Sequence, residues 1–308
     1  MKLFDLHCDT IGECHKQKAS LRKNNLNVSL EKGQVPEDYT QVFAIWIPDE
    51  LRKEKAVKYF DEVCDFYESE LHRNKDLIVH CNSLPESEKR IKSILAVEGG
   101  AALGGDISGL YHLYDRGVRV LTLTWNAENE IASGAFCEKG GLTEFGKKVI
   151  NKSEILGMVV DVSHLNRQSF FDVAENSTKP FIASHSNPDT VENYYGKKRN
   201  LTDEQIDIIK NRGGLIGLNF CADFFDVDGK SGVEAFKAHL SYLLERGCED
   251  IISIGSDFDG CTLTSGIESL SSMESVFESL LSSGFSEDIL KGVFYRNAKR
   301  FFSKMLTE

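Results

Sequence analysis

Eight short runs of apolar residues, many of them β-branched, recur along the chain: residues 2–7 (KLFDLH), 41–47 (QVFAIWI), 93–98 (SILAVE), 118–125 (VRVLTLTW), 158–164 (MVVDVSH), 180–186 (PFIASHS), 214–220 (GLIGLNF) and 251–258 (IISIGSDF). Near-continuous apolar character over so few residues predicts parallel strands buried on both faces. Amphipathic stretches lie between them, at 50–74, 143–157, 166–177, 202–213 and 233–247. In the first of these, Val57, Phe60, Val63, Cys64 and Tyr67 fall at helical spacing and predict one buried face. Thr202 and Gln205 match a capping box, and Gly157, Gly213 and Gly247 stand where a helix should end before the next strand. The β/α alternation with about eight strands predicts a single-domain (β/α)8 barrel over residues 1–308. An open doubly wound sheet is the competitor, disfavoured because no Gly-rich phosphate turn follows the first strand. The last amphipathic segment, about residues 286–306, is expected to be a C-terminal helix packed outside the barrel.

The polar residues that interrupt this pattern are concentrated at strand ends. His7 and Asp9, Glu98, His164, His185 and Asp257 each close an apolar run. Taken singly, each has an ordinary explanation as a capped strand end, a loop acid or a histidine bonded to a carbonyl. Together they fall where barrel enzymes build their active sites, at the C-terminal ends of strands. Mixed imidazole and carboxylate donors suit Zn²⁺ in a catalytic rather than a structural site. Asp257 is placed to take a proton from a metal-activated water and pass it to a leaving amine.

Composition narrows the reading. The chain has 308 residues and a formal charge of −12, which argues against a nucleic-acid partner. No apolar run approaches the roughly 18 residues of a membrane span. The eight cysteines form no CxxC pair, and the N-terminus carries no secretory pattern, so a reduced, cytoplasmic protein is expected.

The motifs DLHCDT, VEGG, LTLTWN, DVSH, ASHSN, KKRNLTD and GSDFDG, running from residue 5 to residue 260, together with YRN at 295–297, resemble the membrane (renal) dipeptidase family. That family consists of binuclear zinc peptidases within the amidohydrolase-like metal-dependent hydrolases. The resemblance implies two Zn²⁺ ions, one held by His7 and Asp9, the other by His164 and His185, with Glu98 bridging. It further implies a metal-bridging water or hydroxide as nucleophile, Asp257 as proton-transfer residue, and Arg199 as the ligand of a dipeptide's terminal carboxylate. The expected activity is hydrolysis of dipeptides, including those with a C-terminal D-residue. Family analogy also suggests a homodimer. Two positions depart from the pattern. Trp125, followed by Asn126, stands where some members carry a substrate-contacting histidine, which makes these two residues candidates for substrate binding. Cys221 follows Phe220 where many members have a tyrosine, whose contact would be missing here or supplied by Tyr194 or Tyr195. These departures motivate an alternative, a binuclear hydrolase of another amide, lactam or ester.

Overall fold

The computed structural model describes residues 1–85, 88–189 and 194–306, with residues 194 and 195 described by their backbone only. Its strands are β1 (Lys2–Cys8), β2 (Asp38–Trp46), β3 (Ile78–His80), β4 (Ile91–Glu98), β5 (Val118–Thr122), β6 (Val159–Asp161), β7 (Ile182–Ala183), β8 (Leu215–Leu218) and β9 (Ile252–Ile254). All pairings between them are parallel, and β2 joins β4 from Thr40–Lys92 to Trp46–Glu98, closing an eight-stranded barrel. The eight expected runs supply its eight staves. β3 is an addition that the apolar pattern did not reveal. It pairs with Ile91–Ser93 at the start of β4, and β5 takes over that edge from Leu95 onward.

The helices are α1 (Thr10–Gln17), α2 (Glu54–Arg73), α3 (Ile107–Asp115), α4 (Glu144–Leu156), α5 (Arg167–Asn176), α6 (Tyr194–Arg199), α7 (Asp203–Asn211), α8 (Ala222–Phe225), α9 (Gly232–Glu245), α10 (Met273–Ser282), α11 (Glu287–Lys291) and α12 (Asn297–Met305). α2 buries Phe60, Val63, Cys64 and Tyr67 as the spacing predicts, with Ala56 rather than Val57 at its innermost first turn. The Thr202–Gln205 capping box forms at the start of α7. Gly157, Gly213 and Gly247 all take positive φ just after their helices.

Strand alternation divides the apolar residues into two sets. Phe43, Leu95, Val97, Leu121, Ile216 and Ile254 face outward to the helices, whereas Phe4, Leu6, Val42, Ala44, Ile94, Ala96, Val120, Val159, Ile182 and Leu215 fill the barrel's N-terminal half. The C-terminal helix lies outside the strands, but beneath the barrel rather than along its flank. A π-helical turn at Gly292–Arg296 joins α11 to α12. Ala298, Phe301, Phe302 and Leu306 then meet the interior set, and Phe302 stacks on Phe4 at 5.2 Å. This plug closes the N-terminal mouth with apolar side chains and leaves the C-terminal mouth to polar ones. Among the described residues no helix is long and apolar enough to cross a membrane.

Candidate metal centre and active site

The polar end of the barrel is prepared by an irregularity in β1. Asp5 pairs with Gln41 but Cys8 pairs with Phe43, so three steps on β1 oppose two on β2. Phe4 and Leu6 point inward below this bulge, and strict alternation would next turn Cys8 inward and His7 outward. The extra residue reverses the phase: Cys8 joins the outer core and His7 reaches the interior. Asp9, the residue preceding α1, follows it there. Glu98 needs no such device, because it continues the inward series Ile94–Ala96 at the last position of β4. His164 and Asp257 reach the site on backbone with φ of 67° and 60°, a region uncommon for residues with side chains. His164 is anchored there by Ala135 N–H and the Thr124 hydroxyl, both donating to its carbonyl at 2.7 and 3.2 Å.

These residues converge. His7 Nε2 lies 3.4 Å from Asp9 Oδ2, 3.7 Å from Glu98 Oε2 and 3.9 Å from Asp257 Oδ1. On the other side of Glu98, Oε1 lies 2.9 Å from His164 Nε2 and 3.4 Å from His185 Nε2. Donor atoms from three triads, His7–Asp9–Glu98, Glu98–His164–His185 and His7–His185–Asp257, each fall within 4.8 Å of one another. Glu98 belongs to two of them, with one oxygen turned to each side.

The donor chemistry fits cations. Two ring nitrogens, His164 Nε2 and His185 Nε2, stand 2.8 Å apart beside Glu98 Oε1. Nδ1 of each ring is engaged on its far side, by Asn126 Oδ1 at 2.9 Å and Ser184 Oγ at 2.7 Å. Such outward engagement is typical of metal-ligating histidines. His7 Nε2 and Asp9 Oδ1 are buried with no hydrogen-bond partner. Without a cation, the electrostatics have to be met by protons. Burial alone would lower the pKa of His7, but Glu98, Asp9 and Asp257 outweigh it and push it up to about 10. Burial pushes Glu98 well above the usual carboxylate range and raises Asp257 as well. Burial holds His164 and His185 well below the ordinary imidazole value, so both are neutral and offer lone pairs.

The remaining expected residues surround this cluster. Arg199, at the end of α6, is 5% exposed; its Nε is unpartnered, one amino group donates to His185 O at 3.4 Å, and its guanidinium lies 5.2 Å from the Phe224 ring. Burial lowers its pKa against the pull of Asp257 and Glu98. Trp125 is half-buried, 5.0 Å from Trp46 in an edge contact and 6.3 Å from His164. Asn126 accepts the His164 Nδ1 hydrogen, so its amide oxygen is directed at the imidazole and not at open space. Cys221 is buried, and its N–H donates to Asn219 Oδ1 at 2.6 Å. The side chains of Tyr194 and Tyr195, the two candidates to supply the missing tyrosine's contact, lie outside the described residues.

Two functional contacts escaped the sequence reading. Asn219 Nδ2 donates to Asp257 Oδ2 at 3.0 Å and fixes that carboxylate. Its signal was available, a polar residue closing the run GLIGLNF, just as the residues of the cluster close theirs. Trp46, level with Glu98 in the β2–β4 register, has no such signal, because an indole in an apolar strand looks like core.

A family model described as membrane dipeptidase (peptidase family M19) matches residues 1–307. An uncharacterized protein in the pqqA 5′ region of Klebsiella pneumoniae is 32% identical over 221 residues, covering 68% of this chain and 80% of that protein. Dipeptidase 3 of Mus musculus is 27% identical over 275 residues, 86% of this chain, and the chain spans just over half of it, 55%. Among solved structures, the dipeptidase AC, a metallo peptidase of family M19, superposes with a TM-score of 0.91 at 25% identity, covering 99% of this chain and 98% of that one. The family match runs from the first strand of the barrel to the helix that plugs it, and the chain belongs to the membrane dipeptidase family, peptidase family M19.

Proposed function

We propose that this chain hydrolyses the peptide bond of dipeptides with two Zn²⁺ ions bound in the cluster, His7 and Asp9 holding one, His164 and His185 the other, and Glu98 shared between them. The observation that carries this reading is Glu98 itself, common to two donor triads with one oxygen directed into each. When bound, the two ions would supply Lewis acidity toward the scissile carbonyl and an acidified water as nucleophile. The chain's own groups do the rest. Asp257, steadied by Asn219, accepts the proton of the attacking water and delivers it to the departing amine. Arg199 presents a desolvated guanidinium beside the cluster, matched to the free carboxylate at the C-terminal end of a dipeptide. A longer peptide extends beyond that point and loses the contact. Trp125 and Trp46 form an aromatic wall beside His164, on which a substrate side chain can pack. The substrates include dipeptides with a C-terminal D-residue, as the family resemblance implies.

The test is release of free amino acid from L,L- and L,D-dipeptides and from their C-terminally amidated counterparts, before and after chelation, with metal content measured by mass spectrometry. The expected result is dipeptide turnover that chelation abolishes, Zn²⁺ restores and amidation depresses. Full turnover in a verified metal-free sample would overturn the reading. Turnover of lactams or esters with none of dipeptides would replace it with the alternative.

A further inference from the structure

Beneath His185 lies a buried carboxylate that none of the three triads uses. Asp161, the last residue of β6, is 0% exposed. Its Oδ1 accepts hydrogen bonds from Ser163 N–H at 3.0 Å and Ser184 N–H at 2.9 Å. Its Oδ2 accepts from the hydroxyls of Thr122 and Ser184, each at 2.6 Å. Ser184 Oγ in turn lies 2.7 Å from His185 Nδ1. A hydroxyl has a single proton to give. Ser184 gives its proton to Asp161, so the contact with the imidazole is a hydrogen bond only if Nδ1 carries the hydrogen. Nε2 is then a lone pair, facing Glu98 and His164. The serine has little freedom to turn away. Its carbonyl packs into the space left by two inward glycines, and a Cβ on either Gly217 or Gly255 would fall 1.8 Å from that oxygen. His185 N–H is held separately, by Ser163 Oγ at 3.1 Å.

We propose that Asp161 is a positioning residue which, through the Ser184 hydroxyl, fixes His185 in its Nδ1–H form and so makes the His164–His185 half of the site competent for metal. His164 has a different support, the neutral amide of Asn126, and the hydrogen bonds of Asp161 and Ser184 reach His185 but not His7 or Asp9. The inference rests on the binuclear metal reading. Its distinctive consequence concerns direction. In Asp161→Asn the amide oxygen must keep the Oδ1 position, because two backbone N–H groups point there. The amide nitrogen therefore takes the Oδ2 position and donates to Ser184 Oγ. The serine proton then turns toward His185 Nδ1 and drives the imidazole hydrogen to Nε2, the atom that should bind metal. Ser184→Ala only removes the relay and leaves the ring free to choose its form.

The test combines metal titration against a chromophoric chelator with ¹⁵N-histidine NMR of the metal-free protein. Wild type should take up two ions and show His185 as the Nδ1–H form. Asp161→Asn should show the Nε2–H form and bind one of the two ions about 10–100-fold more weakly, with the other within about threefold of wild type. Ser184→Ala should lose less than Asp161→Asn, and Ser184→Thr, which retains the hydroxyl, should recover wild-type affinity. Unchanged affinity or unchanged tautomer in Asp161→Asn, or equal weakening of both ions, overturns the inference. If Asp161→Asn does not fold, the Ser184 pair decides: equal affinities in the Ala and Thr variants overturn it. Failure of wild type to bind two ions would instead overturn the metal reading on which it rests.

Discussion

Gly260 is where a single methyl group should separate activity from stability. A Cβ built on this residue falls 2.2 Å from Asp9 Oδ2 and 2.4 Å from Asp257 Oδ1, whereas ordinary contact begins at 3.4 Å. In Gly260→Ala both carboxylates must therefore retreat by about 1 Å, a displacement that costs on the order of 100-fold when it misplaces reacting groups. That corresponds to about 2.7 kcal/mol of transition-state stabilisation. The backbone does not resist the change, since Gly260 is exposed and lies outside the positive-φ glycines. Replacing a glycine by alanine at such a site stabilises by about 0.4–1 kcal/mol through the unfolded chain. The two effects have opposite signs. We expect kcat/KM on a dipeptide to fall by about 100-fold while the melting temperature holds or rises, with metal content recorded alongside. Turnover within about threefold of wild type at full metal content would show that neither carboxylate needs its present position. A fall in melting temperature matching the loss of activity would show that the methyl group acts on the fold instead.

Three further outcomes follow from other parts of the molecule. Asp257→Asn keeps the shape and the Asn219 contact on one oxygen but removes the proton acceptor, so kcat should fall by about 10²–10⁴ with both metals retained by mass spectrometry. Phe302→Ala empties a fully buried site stacked on Phe4 beneath the barrel, and should cost about 3–5 kcal/mol in urea unfolding while leaving KM unchanged. His239 is buried in α9, its Nε2–H donating to Phe225 O at 2.8 Å, and burial pushes its pKa down to about 4. The native state holds this ring neutral, so its stabilising share is complete above the unfolded value of 6.5 and is lost as pH falls through about 4. That share is about 3 kcal/mol, and His239→Gln should flatten the acid limb of a urea-midpoint profile by a corresponding amount.

The sequence makes the barrel legible because burial on both faces leaves little but apolar residues in its strands, and any polar residue that ends such a run needs a reason to be there. Glu98 is the plainest case, reached by simple alternation from Ile94 and Ala96. His7 is a different case. What turns it inward is the bulge between Asp5 and Cys8, which exists only in the register against β2. The helix at about 286–306 was readable as a helix, yet its place beneath the barrel depends on Phe302 finding Phe4, at the other end of the chain. The left-handed backbone at His164 and Asp257 is likewise invisible, since neither residue type announces it. What holds such conformations is contributed by Ala135, Thr124 and His7, each on a different segment.

Strained residues such as His164 and Asp257 would be placed imprecisely if their surroundings were as compliant as an apolar core. Those surroundings are polar. Asp5 accepts from Ser256 N–H at 2.9 Å, from the Ser256 hydroxyl at 2.5 Å and from His7 N–H at 3.3 Å, tying β1 to the segment that carries Asp257. Asp161 does the same for β5, β6 and β7 through Thr122, Ser163 and Ser184. Two buried carboxylates with directional bonds thus tie together the strands that carry the cluster, Asp161 from inside the barrel and Asp5 from the outward side of β1. Their burial is costly, and an apolar pair of equal volume would often be as stable or more so. What an apolar pair lacks is direction: it would leave His7, His185 and Asp257 free to settle wherever packing allowed. The polar belt trades stability for ligand position, which is why a conservative change inside it is expected to alter metal affinity more than it alters the fold.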